Sequence, residues 1–133
     1  MIWSYPSQNI AERNLLPKFK RPTIITDLLG KMIAVNHEWE VMCKFSHEDA
    51  FGRSPKLLQG LFTNVDVART FSNSIRAGTS TYASLINHKK DGSIFLNCIV
   101  GWQLGDILIA ETYAEYPISI DDNTISVNSN PQD

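Results

Sequence analysis

The side chains best able to do chemistry in this sequence are two cysteines and three histidines. Cys43 and Cys98 have neither the spacing of a metal site nor that of a disulfide framework. The histidines, His37, His47 and His88, are scattered, and no nucleophile–histidine–carboxylate set or phosphate-binding loop accompanies them. The sequence therefore predicts no catalytic residue, no metal site and no enzymatic activity.

Composition restricts the classes of protein further. The chain has 133 residues, of which 43% are hydrophobic and 20% charged, enough for one globular domain with its own core. No stretch reaches the roughly 18 apolar residues of a membrane-spanning helix, and no secretory signal begins the chain. We expect an intracellular protein, cytoplasmic or nuclear, without membrane contact. The formal net charge of −2 argues against direct nucleic-acid binding by this domain.

The elements that must position any site fall into three zones. Residues 1–22 predict an N-terminal arm or a short helix from Gln8 to Leu16 that Pro17 ends. Residues 23–116 carry dense apolar periodicity and predict the domain. Residues 117–133 are rich in Asn, Ser and Asp and predict a flexible C-terminal tail.

Periodicity within the domain predicts strands grouped apart from helices. Ser46 followed by Asp49 indicates a helix-capping box, Gly78 a helix end and Asp91-Gly92 a hairpin turn. This grouping favours the α+β class. The predicted strands are Thr23–Asp27, Met32–Asn36, Thr79–His88, Ser93–Trp102 and Ile107–Tyr113. His37–Phe45 is helical in composition, and Val65–Ala77 is the clearest helix.

Two blocks of the sequence resemble the flavin-binding LOV group of PAS domains. Residues 52–60, GRSPKLLQG, are similar to the family's GRNCRFLQG, and residues 87–97, NHKKDGSIFLN, are similar to its NYRKDGTxFWN. The resemblance covers most of the chain but neither end. It implies a PAS fold with a five-stranded antiparallel sheet, short helices on one face and an N-terminal arm or helix.

The resemblance also implies which residues would contact a flavin. Gln59, Asn87 and Asn97 match side chains that hydrogen-bond the ribityl chain and the ring edge in the family, where an amide can both donate and accept. Lys56 replaces an arginine that contacts the phosphate. Thr112 replaces a glutamine that touches the flavin, and it offers no amide to that ring.

The position of the family's photoactive cysteine holds Pro55. Proline carries no nucleophile, so the resemblance implies that a cysteinyl–flavin photoadduct cannot form, and neither Cys43 nor Cys98 aligns there. Ser72 replaces a second phosphate arginine, with Arg69 one turn away. We expect no bound cofactor, with FMN or FAD as the alternative.

Strand alternation predicts an apolar outer face on the sheet if Asn97 and Thr112 point inward. Such a face must be covered, either by the arm alone or by a second copy of the domain. We expect a homodimer, with a heterodimer with another PAS protein as an alternative. The predicted interface is Ile94, Leu96, Val100, Trp102, Ile107, Ile109 and Tyr113, joined by Ile10 and Leu15 of the arm.

These features favour a sensory and dimerisation module of a signalling or transcription-regulating protein. In this hypothesis the domain dimerises through the outer face of its sheet and forms no photoadduct. The alternative is a sensor that binds a flavin or another small ligand and works without the cysteine, through photoreduction or ligand occupancy.

Overall fold

The structure is a computed structural model that describes residues 15–122 and 124–128. Six strands form an antiparallel sheet in the order β2-β1-β5-β4-β3, and β6 pairs with the far part of β5. The α+β prediction is confirmed. The strands are β1 Thr23–Asp27, β2 Met32–Val35, β3 Thr81–His88, β4 Ile94–Leu104, β5 Ile107–Asp121 and β6 Thr124–Val127.

The helices lie between β2 and β3, and local polar side chains fix where they begin. Asn36 accepts a hydrogen bond from the Trp39 N–H at the start of the first helix, and Ser46 and Asp49 form the predicted capping box of the second. The helices are α1 His37–Cys43, α2 His47–Ala50 and α3 Val65–Arg76, with 3₁₀ turns at Leu16–Lys18 and Pro55–Leu58.

The C-terminal segment corrects the predicted strand count from five to six. Residues 117–121 extend β5, and β6 returns along them, although this segment was expected to be a flexible tail. Ile118 and Ile120 stand opposite Val127 and Ile125, an apolar alternation that suits a strand pair. Asp122, with φ of 46°, adopts the left-handed conformation that Asp tolerates in a tight turn.

The side of the sheet that faces the helices contains the larger part of the core. One cluster gathers Trp39, Met42 and Phe95, and a second joins Phe71 and Ile75 of α3 to Leu108 of β5. Burial of these apolar side chains supplies the main favourable term in folding. The helices and the sheet together therefore form the walls of an inner space.

Gly101 lets α3 approach β4 closely. A Cβ at this position would lie 2.6 Å from the Cζ of Phe71 and 3.0 Å from the Cγ2 of Ile75. Only glycine permits that contact without a shift of the helix. The distance between α3 and the sheet is set here.

The N-terminal segment packs on the opposite, outer side of the sheet. Leu15, Leu16 and Phe19 contact a buried cluster that includes Ile107 and Ile109. The predicted interface residue Ile10 lies outside the described residues. So does the predicted helix from Gln8 to Leu16, except for its last two residues. There the chain forms the 3₁₀ turn Leu16–Lys18, which contains Pro17 near its beginning.

Candidate functional site

A cavity of about 620 Å³ lies between the sheet, α3 and the second 3₁₀ turn. This volume falls in the range of roughly 300–1,000 Å³ that small-molecule sites occupy. Leu58, Leu85, Ile99 and Leu108 contribute apolar walls. The cavity therefore has the size and the mostly apolar surface of a ligand site.

Three side chains on adjacent strands form a buried polar chain at the sheet wall. The Thr112 hydroxyl donates to the Asn97 Oδ1 at 2.7 Å, and the Asn97 Nδ2 donates to the Asn87 Oδ1 at 2.9 Å. All three residues are buried and line the cavity. Asn87 and Asn97 each keep an amide N–H that is available to a ligand acceptor. The Asn87 Nδ2 makes one hydrogen bond among the described residues, and that bond is long, at 3.4 Å to the Ile86 carbonyl oxygen.

The GRSPKLLQG segment forms the opposite wall. Ser54 caps the 3₁₀ turn through a hydrogen bond from the Lys56 N–H, and Pro55 occupies the first turn, where its missing N–H costs nothing. Pro55, Lys56 and Gln59 all line the cavity. The Gln59 amide has no hydrogen-bond partner in the described part of the chain, so it too is available to a ligand.

The charged residues that line the cavity are all cationic. They are Lys56, Arg69 and Arg76, and no Asp or Glu is among the lining residues. This contrasts with the net charge of −2 for the whole chain. The lining therefore favours a ligand with negative charge.

Neither cysteine lines the cavity. Cys43 is buried in the core beside Trp39, where its thiol donates to the Trp39 carbonyl oxygen, and burial raises the pKa of the thiol to about 12. Cys98 is buried on the outer side of β4 against Ser84. Both environments suit small buried hydrophobic residues rather than reactive thiolates.

An acidic group lies close to the polar chain in strand register. Glu115 pairs with Asn97 across β4 and β5, and it does not line the cavity. Burial raises the pKa of Glu115, against the opposing effect of the Lys89 charge.

The structure brings together all the residues predicted to contact a flavin. Gln59, Asn87, Asn97, Lys56 and Thr112 line one cavity with Pro55, although four different elements of the chain supply them. These residues therefore share one cavity, while their binding roles and the identity of a ligand stay predictions.

The predicted outer-face residues divide into two groups. Ile107 and Ile109 are buried beneath Leu15, Leu16 and Phe19, so these two cannot face a partner in this arrangement. Their place in the predicted interface is corrected because the N-terminal segment occupies it. Leu15 belongs to that covering layer.

The other group remains accessible among the described residues. Tyr113 is 41% exposed and meets Tyr82, which is 74% exposed, edge to face at 6.3 Å. Thr112 pairs with Ile99 and Ala114 with Cys98, so Tyr113 is the extra residue of a β-bulge. The half-buried members of this group are Ile94, Leu96 and Val100. Trp102 is half-buried too, but it packs against the covered cluster, and its ring lies 6.1 Å from that of Phe19.

Sequence reasoning missed two features of the cavity. Arg76 lines the cavity two turns along α3 from Arg69. The spacing of Arg69, Ser72 and Arg76 places all three on one face of the helix, and this spacing was the available sequence signal. Pro22 lines it too, and its carbonyl accepts from the Thr112 N–H at 2.8 Å. No local sequence signal predicts that second contact.

Among residues 15–122 and 124–128, no group of three or more His, Cys, Asp or Glu side chains is placed to hold a metal ion. The helices of this part of the chain are also too short or too polar to cross a membrane.

Comparison with solved structures identifies the fold. The LOV domain of the Erythrobacter litoralis EL346 blue-light activated histidine kinase matches with a TM-score of 0.65 at 22% identity, covering 71% of this chain and 94% of that one. A Rhodobacter sphaeroides LOV protein matches with a TM-score of 0.72 at 14% identity, over 82% of this chain and 67% of that one.

A longer structure of the same histidine kinase matches with a TM-score of 0.63 at 24% identity and covers 68% of this chain. The match spans only 34% of that kinase, so it concerns one domain of a larger signalling protein. No protein-family model matches the chain, and no curated protein matches its sequence. The chain has the LOV-like PAS fold.

Proposed function

We propose that this domain is a sensory module that binds a small ligand non-covalently in its central cavity. The observation that carries this proposal is the cavity itself, in which buried amides, apolar walls and cationic side chains meet. A ligand with an acceptor-rich ring edge, an apolar body and an anionic tail would satisfy all three. The module would belong to a signalling or transcription-regulating protein.

The lining residues fit a flavin held without a covalent bond. Asn87, Asn97 and Gln59 would hold the polar edge of the ring, and Lys56 with Arg69 would hold the phosphate. A bound flavin would supply absorption of blue light and the capacity to accept an electron. The residues do not fit a thiol adduct, because Pro55 stands where the family has its cysteine and neither Cys43 nor Cys98 lines the cavity.

Ligand occupancy would reach the rest of the domain through Thr112. Its hydroxyl bonds Asn97 inside the cavity, and its N–H bonds the Pro22 carbonyl, just before β1. Tyr113, the bulged residue, follows it on the outer face. In this proposal a change in the hydrogen bonds of Thr112 alters the bulge and the outer face of the sheet.

The binding test compares the wild-type chain with Asn97→Leu. Both proteins are incubated with FMN or FAD, desalted and examined for flavin absorbance and fluorescence. We expect the wild type to retain flavin and N97L to retain about tenfold less, because the variant removes charge-neutral hydrogen bonds worth roughly 1.4 kcal/mol. Thr124→Val, an exposed change on β6, is the matched control and should bind as the wild type does.

Homodimerisation is a second candidate function, favoured by the accessible aromatic pair on the outer face. Tyr82 contacts Tyr113 and pairs with half-buried Val100 in strand register, and large aromatic side chains of this kind often anchor buried interfaces. A second copy would cover this surface next to the docked N-terminal segment. A heterodimer with another PAS protein would use the same residues.

Light scattering at micromolar concentration tests the dimer. We expect a mass near twice 15.0 kDa for the wild type. Tyr82→Lys should give the monomer, because it places a charge in the interface. Leu61→Lys changes a residue that is 88% exposed on a loop away from this surface and should remain dimeric. A monomeric wild type would reject the dimer and leave ligand binding unaffected.

A further inference from the structure

We propose that the hairpin formed by the end of β5 and by β6 belongs to an interface between two copies of this chain, where it packs against the same hairpin of the other copy around a twofold axis. This inference rests on the proposed homodimer and names a contact surface separate from the tyrosine pair. That surface is the hairpin strip, which consists of four aliphatic side chains on one face of the hairpin: Ile118, Ile120, Ile125 and Val127.

Strand register and alternation place the hairpin strip on one face. Ile118 pairs with Val127 and Ile120 pairs with Ile125, so the side chains of both pairs point to the same side. The residues that alternate with them point to the other side, and all of these are polar: Ser119, Asp121, Thr124 and Ser126. The hairpin therefore has one apolar face and one polar face, the pattern of strands that are covered on one side.

The apolar face of the hairpin is open in a single copy. Ile120 is 49% exposed, Ile125 42% and Val127 47%. Residues 118–121 lie beyond the part of β5 that pairs with β4, and they pair with β6 instead. Because a two-stranded hairpin is marginally stable on its own in water, a cover on its apolar face would stabilise it.

The hairpin strip continues the accessible part of the outer face of the sheet. Tyr116 pairs with Leu96, which points away from the cavity, so Tyr116 lies on the outer face. Alternation along β5 then places Ile118 and Ile120 on that same face. The open stretch from Tyr113 to Ile120 is about 23 Å long at the usual rise per residue. The N-terminal segment covers the other end of β5.

The area that a stable dimer requires is larger than the tyrosine pair can supply. Aromatic side chains bury roughly 150–250 Å² each, so covering the exposed parts of Tyr82 and Tyr113 would remove only about 230 Å² from water. A specific interface buries about 800 Å² on each partner. The hairpin strip adds apolar area on the same face, in continuity with the pair.

The chemistry of the hairpin strip suits a second copy of the chain. A twofold interface places each patch against an identical patch, so a charge near the axis would meet its own like charge. The strip contains no charged side chain. The two acidic residues of the hairpin are set apart from it, since Asp121 points to the polar face and Asp122 lies in the turn. Two such strips can therefore pack together without burying a charge.

The test measures the dimer Kd by analytical ultracentrifugation for the full chain and for variants matched in charge. Ile120→Glu places a carboxylate on the strip, whereas Ser119→Glu places one on the neighbouring residue, which points to the polar face. We expect I120E to raise the Kd at least about tenfold, because like charges would meet across the axis, and S119E to stay within about twofold of the wild type. Ile125→Ser removes apolar area without adding a charge and should raise the Kd about fivefold.

The outcomes separate the hairpin contact from the dimer itself. If I120E and I125S dimerise as tightly as the wild type while Tyr82→Lys is monomeric, the hairpin contact is wrong and the dimer through the tyrosine pair stands. An equal loss in S119E and I120E would also overturn it, because the effect would not belong to the strip. A wild type that is monomeric at micromolar concentration overturns both and assigns the strip to a different partner. Because I125S is a mild change at an exposed position, it keeps the test decisive if I120E disturbs the hairpin.

Discussion

The Thr112 hydroxyl joins β5 to the buried polar chain that lines the cavity. It donates to the Asn97 Oδ1 at 2.7 Å in a site where both residues are buried. Thr112→Val keeps the shape and removes the donor, which leaves a buried acceptor without its partner. We expect a loss of about 1–2 kcal/mol in the free energy of unfolding, measured by urea denaturation.

A matched change tests whether that loss belongs to the polar chain. Thr124→Val makes the same substitution on exposed β6 and should alter stability by less than about 0.5 kcal/mol. Equal effects at the two positions would show that the hydrogen bond to Asn97 contributes nothing specific.

The Cys43 thiol makes stability depend on alkaline pH. Burial raises the pKa of this thiol in the folded chain from 9.0 to about 12, so the thiol is neutral in both states well below pH 9. Above pH 9 the unfolded chain gains stability by ionising a thiol that the folded chain keeps protonated. Stability should therefore decrease as the pH rises from 9 towards 12.

Chemical denaturation across this pH range, compared between wild type and Cys43→Ala, measures the effect. The variant starts less stable because it loses core volume, but the alkaline slope assigned to Cys43 should be missing from it. Native protein at pH 8 should also resist alkylation at this position. Identical slopes in the two proteins would contradict the burial of the thiol.

Among the elements, the contact between α3 and β4 determines the depth of the cavity. Gly101→Ala would place a Cβ 2.6 Å from the Phe71 ring, and the helix must then move or the ring must rotate. We expect destabilisation of about 1–3 kcal/mol, the range of overpacked cores. Thermal or urea unfolding measures it.

A double-mutant cycle with Phe71→Leu isolates this contact. The smaller side chain makes room for the added methyl, so the double variant should be more stable than the sum of the two single effects predicts. Strict additivity would mean that Gly101 is required for a reason other than the approach of α3.

The sequence predicts most elements but not all of their contacts. β1 was predicted with its observed limits, and α3 ended one residue earlier than expected, because apolar periodicity and capping residues are local signals. β6 was not predicted because polar residues dominate residues 117–133, the segment that contains it. The burial of Ile107 and Ile109 under Phe19 depends on packing between segments distant in sequence.

The candidate site could be predicted only in part for a related reason. Motif resemblance identified Gln59, Asn87 and Asn97, which the fold brings to one cavity. Arg76 belongs to no such motif. Its role depends on which face of α3 meets the cavity, and that face is fixed by the packing of Phe71 and Ile75 on the sheet.

At the scale of the whole molecule, charge distinguishes the cavity and exposure distinguishes the outer face of the sheet. A chain of net charge −2 places three cations and no carboxylate around its internal cavity. The N-terminal segment covers part of the outer face, which keeps an accessible aromatic pair. In the proposed function, ligand binding inside and association outside would be connected through one sheet, with Thr112 between them.

The absorption spectrum of the purified chain, recorded after incubation with FMN or FAD and removal of free flavin, tests the central claim most directly. Non-covalent binding predicts a retained blue absorption band at close to one flavin per chain, which denaturation releases as unmodified flavin. Illumination should produce no covalent attachment to the protein. A colourless protein that takes up neither flavin would contradict the account.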